Sequence, residues 1–218
     1  MVALMRYWLA VLLHSQRYFP PLLLFVTGVV VLTDNDTGRL TAMYGACSAV
    51  LFLSALWLTV GLIQVDDPVQ RAITVVNARS SARVLTAAVL VAVSCCVLCL
   101  VFGLVFPLLS GSHQVSADAV AVGAISQLGA GMTGIAVGLL CSRPIVRRPA
   151  ASVALAIILA IVAYVSTWAS PLNGLLRLMS SDRTPVHLLG PVGVLAGAGA
   201  LLLIAVTALT HVVATRRD

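Results

Sequence analysis

Three thiols fall within little more than one helical turn of an apolar run, at Cys95, Cys96 and Cys99. Cys96 and Cys99 have redox-dithiol spacing, and the third thiol raises metal ligation as a further option. Neither chemistry has its companions. No second CxxC and no histidine pair accompanies the cluster, and Cys47 and Cys141 stand alone. The reading adopted is small, soft packing residues in a helix, a common role for a free cysteine. The carboxylates Asp66 and Asp67 could hold magnesium for a lipid-modifying transferase. Because they precede Pro68, they read more economically as a helix start, aspartate capping free amides and proline occupying the first turn. An intramembrane protease would need a histidine and an activated serine inside the bilayer. His14, His113, His187 and His211 all fall in or near expected interfaces, and no serine sits in a GxSG pattern. An intramembrane enzyme is therefore kept only as an alternative.

The chain has no lysine at all, so the phosphate-cradling loop of an ATPase, which needs one, is absent from its sequence. The centres of its apolar segments hold Ala, Val, Leu, Gly, Ser and Thr, with no Asp, Arg or His at depth. A proton-driven pump normally keeps a titratable group there. Uphill transport would thus draw its energy from another polypeptide. Of the 218 residues 61% are hydrophobic and 9% charged, and mean hydropathy is +1.09; soluble domains carry about a quarter charged residues. The net charge of +6 comes entirely from arginines, mostly in loops beside apolar segments, which suits anionic lipid headgroups and not nucleic acid. The first residues lack the short apolar core and small-residue cleavage site of a secretory signal, and the N-terminus is expected to be retained.

The expected fold is an all-α membrane protein, a single transmembrane domain over residues 1–218. Its six spans run Pro20–Thr33, Leu40–Ile63, Val84–Leu109, Asp118–Cys141, Ala151–Ala169 and His187–Val213. Continuous apolar runs without alternation exclude a membrane barrel. With the N-terminus inside, ten arginines (6, 17, 71, 79, 83, 143, 147, 148, 216 and 217) face the cytoplasm and three (39, 177 and 183) face outward. By the positive-inside rule both termini are expected to be cytoplasmic.

Three connections carry further pattern. In residues 1–19, Met5, Trp8, Leu9 and Leu12 recur at helical spacing with Arg6, His14 and Arg17 among the polar positions. This is either an interfacial amphipathic helix anchored by Tyr7 and Trp8 or the start of one long helix kinked at Pro20. In residues 64–83, Val69, Ala72, Ile73 and Val76 form a narrow apolar stripe after Asp67, suited to a groove on a soluble partner or to headgroups. The outer connection, residues 170–186, is too apolar for a solvated loop and reads as a short helix dipping into the interface. Gly134 with Gly138, and Gly193 with Gly197, form GxxxG pairs for close helix packing. Ser126 and Gln127 are the polar side chains deepest in the fourth span, read as interhelical hydrogen bonding or as part of a substrate path. Tyr44, Tyr164 and Trp168 are expected in the aromatic belt.

This layout resembles the permease subunits of type-2 ABC exporters, and haem-exporter B subunits share it. The resemblance rests on the helix around Arg6 to Arg17, the outer apolar segment, and the stretch DDPVQRAITVVNARSSARVLTAAVL. It implies an N-terminal connecting helix with Arg6, Trp8 and Arg17. It also implies a coupling helix on which Asp66, Asp67, Val69, Arg71, Ile73 and Val76 meet the ATPase. The implied assembly pairs this chain with a second permease copy, or a homologous permease, above a dimer of ATPase subunits. ATP and magnesium would bind those subunits, leaving this chain with no cofactor of its own. The implied activity is export of a hydrophobic or amphipathic substrate across the bacterial cytoplasmic membrane. A channel or an assembly subunit is the alternative outside that family.

Overall fold

In hydrocarbon a backbone amide finds no water, so a spanning segment must satisfy its own hydrogen bonds, and a helix does so residue by residue. The computed structural model describes residues 2–33, 39–65, 80–110, 115–142, 149–166 and 170–215, and its secondary structure among them is helical throughout. The helices are α1 (Val2–Ser15), α2 (Phe19–Thr33), α3 (Leu40–Val65), α4 (Ser81–Ser110), α5 (Ala117–Leu140), α6 (Pro149–Val165), α7 (Pro171–Met179) and α8 (Pro185–Thr215). Boundaries follow local chemistry. Ser116 caps α5 by accepting a hydrogen bond from the Ala119 amide, Asp118 sits in its first turn, and prolines begin α6, α7 and α8.

The core is a pair of helices lying side by side and running the same way. Gly123 of α5 seats the Tyr44 ring, Gly134 faces the Phe52 carbonyl, and Gly138 faces Thr59 and the Leu56 carbonyl, so contacts advance together along α5 and α3. A methyl group on Gly134 or Gly138 would meet backbone oxygen. Their absence lets the two helix axes close and brings Cα–H groups against carbonyls one turn apart. On another face of α5, Gly129 receives Ala196 and Thr133 meets Gly199 of α8. α4 lies against α5 in the opposite direction, Gln127 reaching Gly103 while Gly131 approaches Cys96. α2 and α6 also run opposite to α3: α2 buries Phe25 and Val29 against Leu51 and Cys47, and α6 joins Ser152 to Gln64 and Tyr164 to Ala49. Directions therefore alternate through α2, α3, α4, α5, α6 and α8.

Four of these helices, α3, α4, α5 and α8, are long and apolar enough to cross a membrane, and the chain is a multi-pass membrane protein. α1 and α2 pass the same test only as a pair bent by 79°, which makes five if the pair is one span. α6, at 17 residues, falls short of that length, because 1.5 Å of rise per residue gives about 25 Å against a hydrocarbon core of about 30 Å. The bend between α1 and α2 is not at Pro20. It sits at Gln16, whose φ is +53°, a left-handed turn of the kind that ends helices; Phe19 N–H then donates to Gln16 O at 3.1 Å, and both prolines lie in the first turn of α2.

α7 packs Leu172, Leu175 and Met179 inward, across the end of the bundle where α3 and α5 begin. Arg39, just before α3, donates to Ser181 O at 3.1 Å and pairs with Asp182 at 2.5 Å, tying that end together.

The glycines make opposite demands. Gly134→Ala is expected to lower stability by about 1–3 kcal/mol through overpacking. Gly197 has nothing within 4 Å of where a methyl would sit, so Gly197→Ala is expected to raise stability by up to about 1 kcal/mol through helix propensity. Thermal unfolding in detergent reads both signs.

Candidate functional site

The bend between α1 and α2 leaves a space beneath it. α1 turns Trp8 and Leu12 inward and α2 its Pro21–Phe25–Val29–Thr33 stripe, but the elbow keeps the two helices from filling the same volume. The result is an apolar cavity of about 320 Å³ between α1, α2, α3 and α4. Its walls include Leu12, Phe25, Leu51, Leu58 and Phe102, with Cys95, Cys96 and Cys99 along the α4 side. One polar atom stands out there. Ser54 is 4% exposed and lines the cavity, and its hydroxyl has no hydrogen-bond partner among the described residues. A buried hydroxyl in that state is costly unless a ligand or water completes it. The cavity suits an apolar molecule carrying one hydrogen-bonding group.

A second feature borders this wall. Pro107 lies inside α4, and a proline has no N–H for the carbonyl four residues earlier, here that of Gly103. Gln127 of α5 supplies the missing donor, its Nε2 reaching Gly103 O at 3.3 Å. Gly103 makes the approach possible, since a side chain there would strike Gln127 Oε1 and the Phe25 ring. Gln127 Oε1 is buried and has no partner among the described residues. Gln127 also borders a void of about 10 Å³ shared with Leu51 and Cys96, the same two side chains that line the elbow cavity. A single layer of side chains separates the amide from the cavity.

Ser126 and Gln127 are both 0% exposed and neither lines the elbow cavity. Ser126 pairs with Ser48 of α3 at 3.0 Å, and the amide of Gln127 serves α4. Gly134 and Gly138 sit at the α3–α5 crossing, whereas Gly193 and Gly197 have open space around them and α8 meets α5 through Ala196 and Gly199. Trp8 is 3% exposed and packs among Leu62, Val84 and Ala88. It is therefore a core side chain and not the headgroup anchor expected of it, because α1 lies on the bundle instead of beside it. Arg6 is exposed on α1, and Arg17 is exposed in the elbow after α1 has ended. Tyr44 likewise leaves the aromatic belt. Tyr44 is wholly buried; its hydroxyl donates to Leu104 O at 3.3 Å, and that of Tyr164 to Ala49 O at 2.6 Å.

Asp66, Asp67, Val69, Arg71, Ile73 and Val76 lie outside the described residues, as does Trp168. Sequence reasoning missed Ser54 and the link between Gln127 and Gly103. The second carried a signal: a proline in an apolar run frees a carbonyl one turn back.

Gln127→Leu is expected to cost about 1–3 kcal/mol by orphaning Gly103 O. In a Pro107→Ala background, where the helix regains its own amide, the same change should cost about 1 kcal/mol less. A double-mutant cycle by denaturant unfolding in mixed micelles measures the difference.

No protein-family model matches this chain, and no curated protein and no solved structure is similar enough to count as a match.

Proposed function

We propose that this chain is the membrane-spanning subunit of an ATP-driven exporter, moving a hydrophobic or amphipathic molecule outward with energy from a separate ATPase. The observation that carries the reading is the apolar cavity of about 320 Å³ beneath the α1–α2 elbow, near the lower end of small-molecule pockets. Its thiols, aromatic rings and single unpartnered hydroxyl suit an apolar cargo.

In this reading the six helices of alternating direction are six spans, with α2 and α6 as short ones, and α1 is the connecting helix. The elbow and the end of α8 share one side. The Arg17 backbone approaches Gly61 near the end of α3, and Ser81 at the start of α4 meets His211 of α8 at 3.5 Å. That side is assigned to the cytoplasm by the arginine distribution, with the chain in a bacterial plasma membrane. The ATPase contact falls to Asp66, Asp67, Val69, Arg71, Ile73 and Val76.

The test is the ATPase partner itself. Co-purification of an ABC ATPase subunit with the tagged chain is expected, and Ile73→Asp or Val76→Asp should reduce it at least about tenfold, as for truncation of an interface anchor. Leu13→Trp, at the half-exposed rim of the cavity, should leave that capture intact while slowing ATP-dependent dye transport in proteoliposomes. Capture unaffected by either aspartate, or cargo accumulation against its gradient without an ATPase, overturns the reading.

A further inference from the structure

A different face of α2 borders a groove of about 490 Å³, closed on its other sides by α3 and α6. Leu53 and Trp57 of α3 and Ala156 and Ala160 of α6 form its apolar walls, and Arg17 and Gln64 stand at one end. From Gln64 to Leu53 the groove follows about three turns of α3, about 16 Å of rise. That is half of a hydrocarbon core about 30 Å thick, the depth of one leaflet. The small Ala156 and Ala160 keep the groove open, and Trp57, 49% exposed, offers an aromatic face to whatever fills it.

The polar end is built around an unmatched charge. Gln64 is committed, its Nε2 donating to Ser152 Oγ at 3.0 Å, and Ser152 in turn donates to Cys141 O. Arg17 is exposed, and its guanidinium makes no ion pair or hydrogen bond among the described residues. The described acidic residues lie at the opposite end of the bundle. Asp118 is in the first turn of α5, and Asp182 is held by Arg39 before α3. Among the described residues no carboxylate meets Arg17, whose charge suits a lipid phosphate.

We propose that this groove binds a single anionic phospholipid of the leaflet facing the elbow, one acyl chain between α3 and α6 and the phosphate on Arg17. A groove that ends at mid-depth matches the reach of one acyl chain. The proposal requires only that the chain spans a bilayer, and it stands apart from the ATPase-driven reading.

The test uses the full chain in nanodiscs of equal phosphatidylglycerol and phosphatidylcholine, released into native mass spectrometry. Wild type should retain phosphatidylglycerol over phosphatidylcholine by about fivefold, the effect of one basic residue near an anionic surface. Arg17→Gln should remove the preference, and Ala160→Leu should lower retention of both lipids. A second readout needs only the conservative replacement of one groove aromatic to fold. Brominated acyl chains should quench the fluorescence lost in Trp57→Phe, and brominated phosphatidylglycerol should do so at lower mole fraction than brominated phosphatidylcholine. Equal retention of the two lipids by wild type overturns the proposal, as does an undiminished preference in Arg17→Gln. So does a Trp57 shielded from both brominated lipids in a chain that runs as a dimer, which would make a second copy the occupant.

Discussion

Backbone contact between α3 and α5 is the constraint on which the remaining geometry rests. In lipid the hydrophobic effect gives little reason for two apolar helices to associate, and what remains is close packing and polar pairing. Gly134 and Gly138 provide the first by leaving room for the Phe52 and Leu56 carbonyls; Ser48 and Ser126 provide the second at 3.0 Å, wholly buried. With that pair fixed, the other faces of α5 fall to α4 and α8, and the other faces of α3 to α2 and α6. Both cavities are what remains where these outer helices fail to close on the central pair.

The elbow cavity and the proline of α4 belong to one piece of structure. Phe25 lines the cavity and packs toward Gly103, whose carbonyl is held by Gln127 because Pro107 cannot hold it. A ligand that displaces Phe25 or Phe102 therefore presses on a point where α4 lacks one of its own hydrogen bonds. In the proposed transport reading, that is where filling the cavity alters the helix beside it at least expense.

Much of the architecture was legible because apolar length and chain breakers act locally. The apolar run Leu40–Ile63 predicts α3, which runs Leu40–Val65; the run from Asp118 predicts α5, which starts at Ala117 behind the Ser116 cap. Span number was less legible, since α2 and α6 are apolar throughout yet only 15 and 17 residues long. The glycine pairs show why packing partners resist sequence reading. GxxxG spacing predicts a flat face but not what meets it; Gly134 and Gly138 face α3, while Gly193 and Gly197 face nothing because Gly129 draws Ala196 and Gly199 inward instead. The amphipathic surroundings of Trp8 predict a place at the headgroups, and only the fold of α1 over α3 and α4 buries it. The residues expected to meet an ATPase lie outside the described segments.

The central helices point the same way, and this sets an order of events at the ribosome. α4 must thread the bilayer before α5 emerges, so α3 waits in lipid without its eventual neighbour. Ser48 and Thr59 bond their own helix at Tyr44 O and Ala55 O, which lets α3 reside there alone with those hydroxyls already satisfied. Ser54 makes no such bond and the Tyr44 hydroxyl finds its acceptor only on α4, so during that interval these α3 hydroxyls are left to lipid or water.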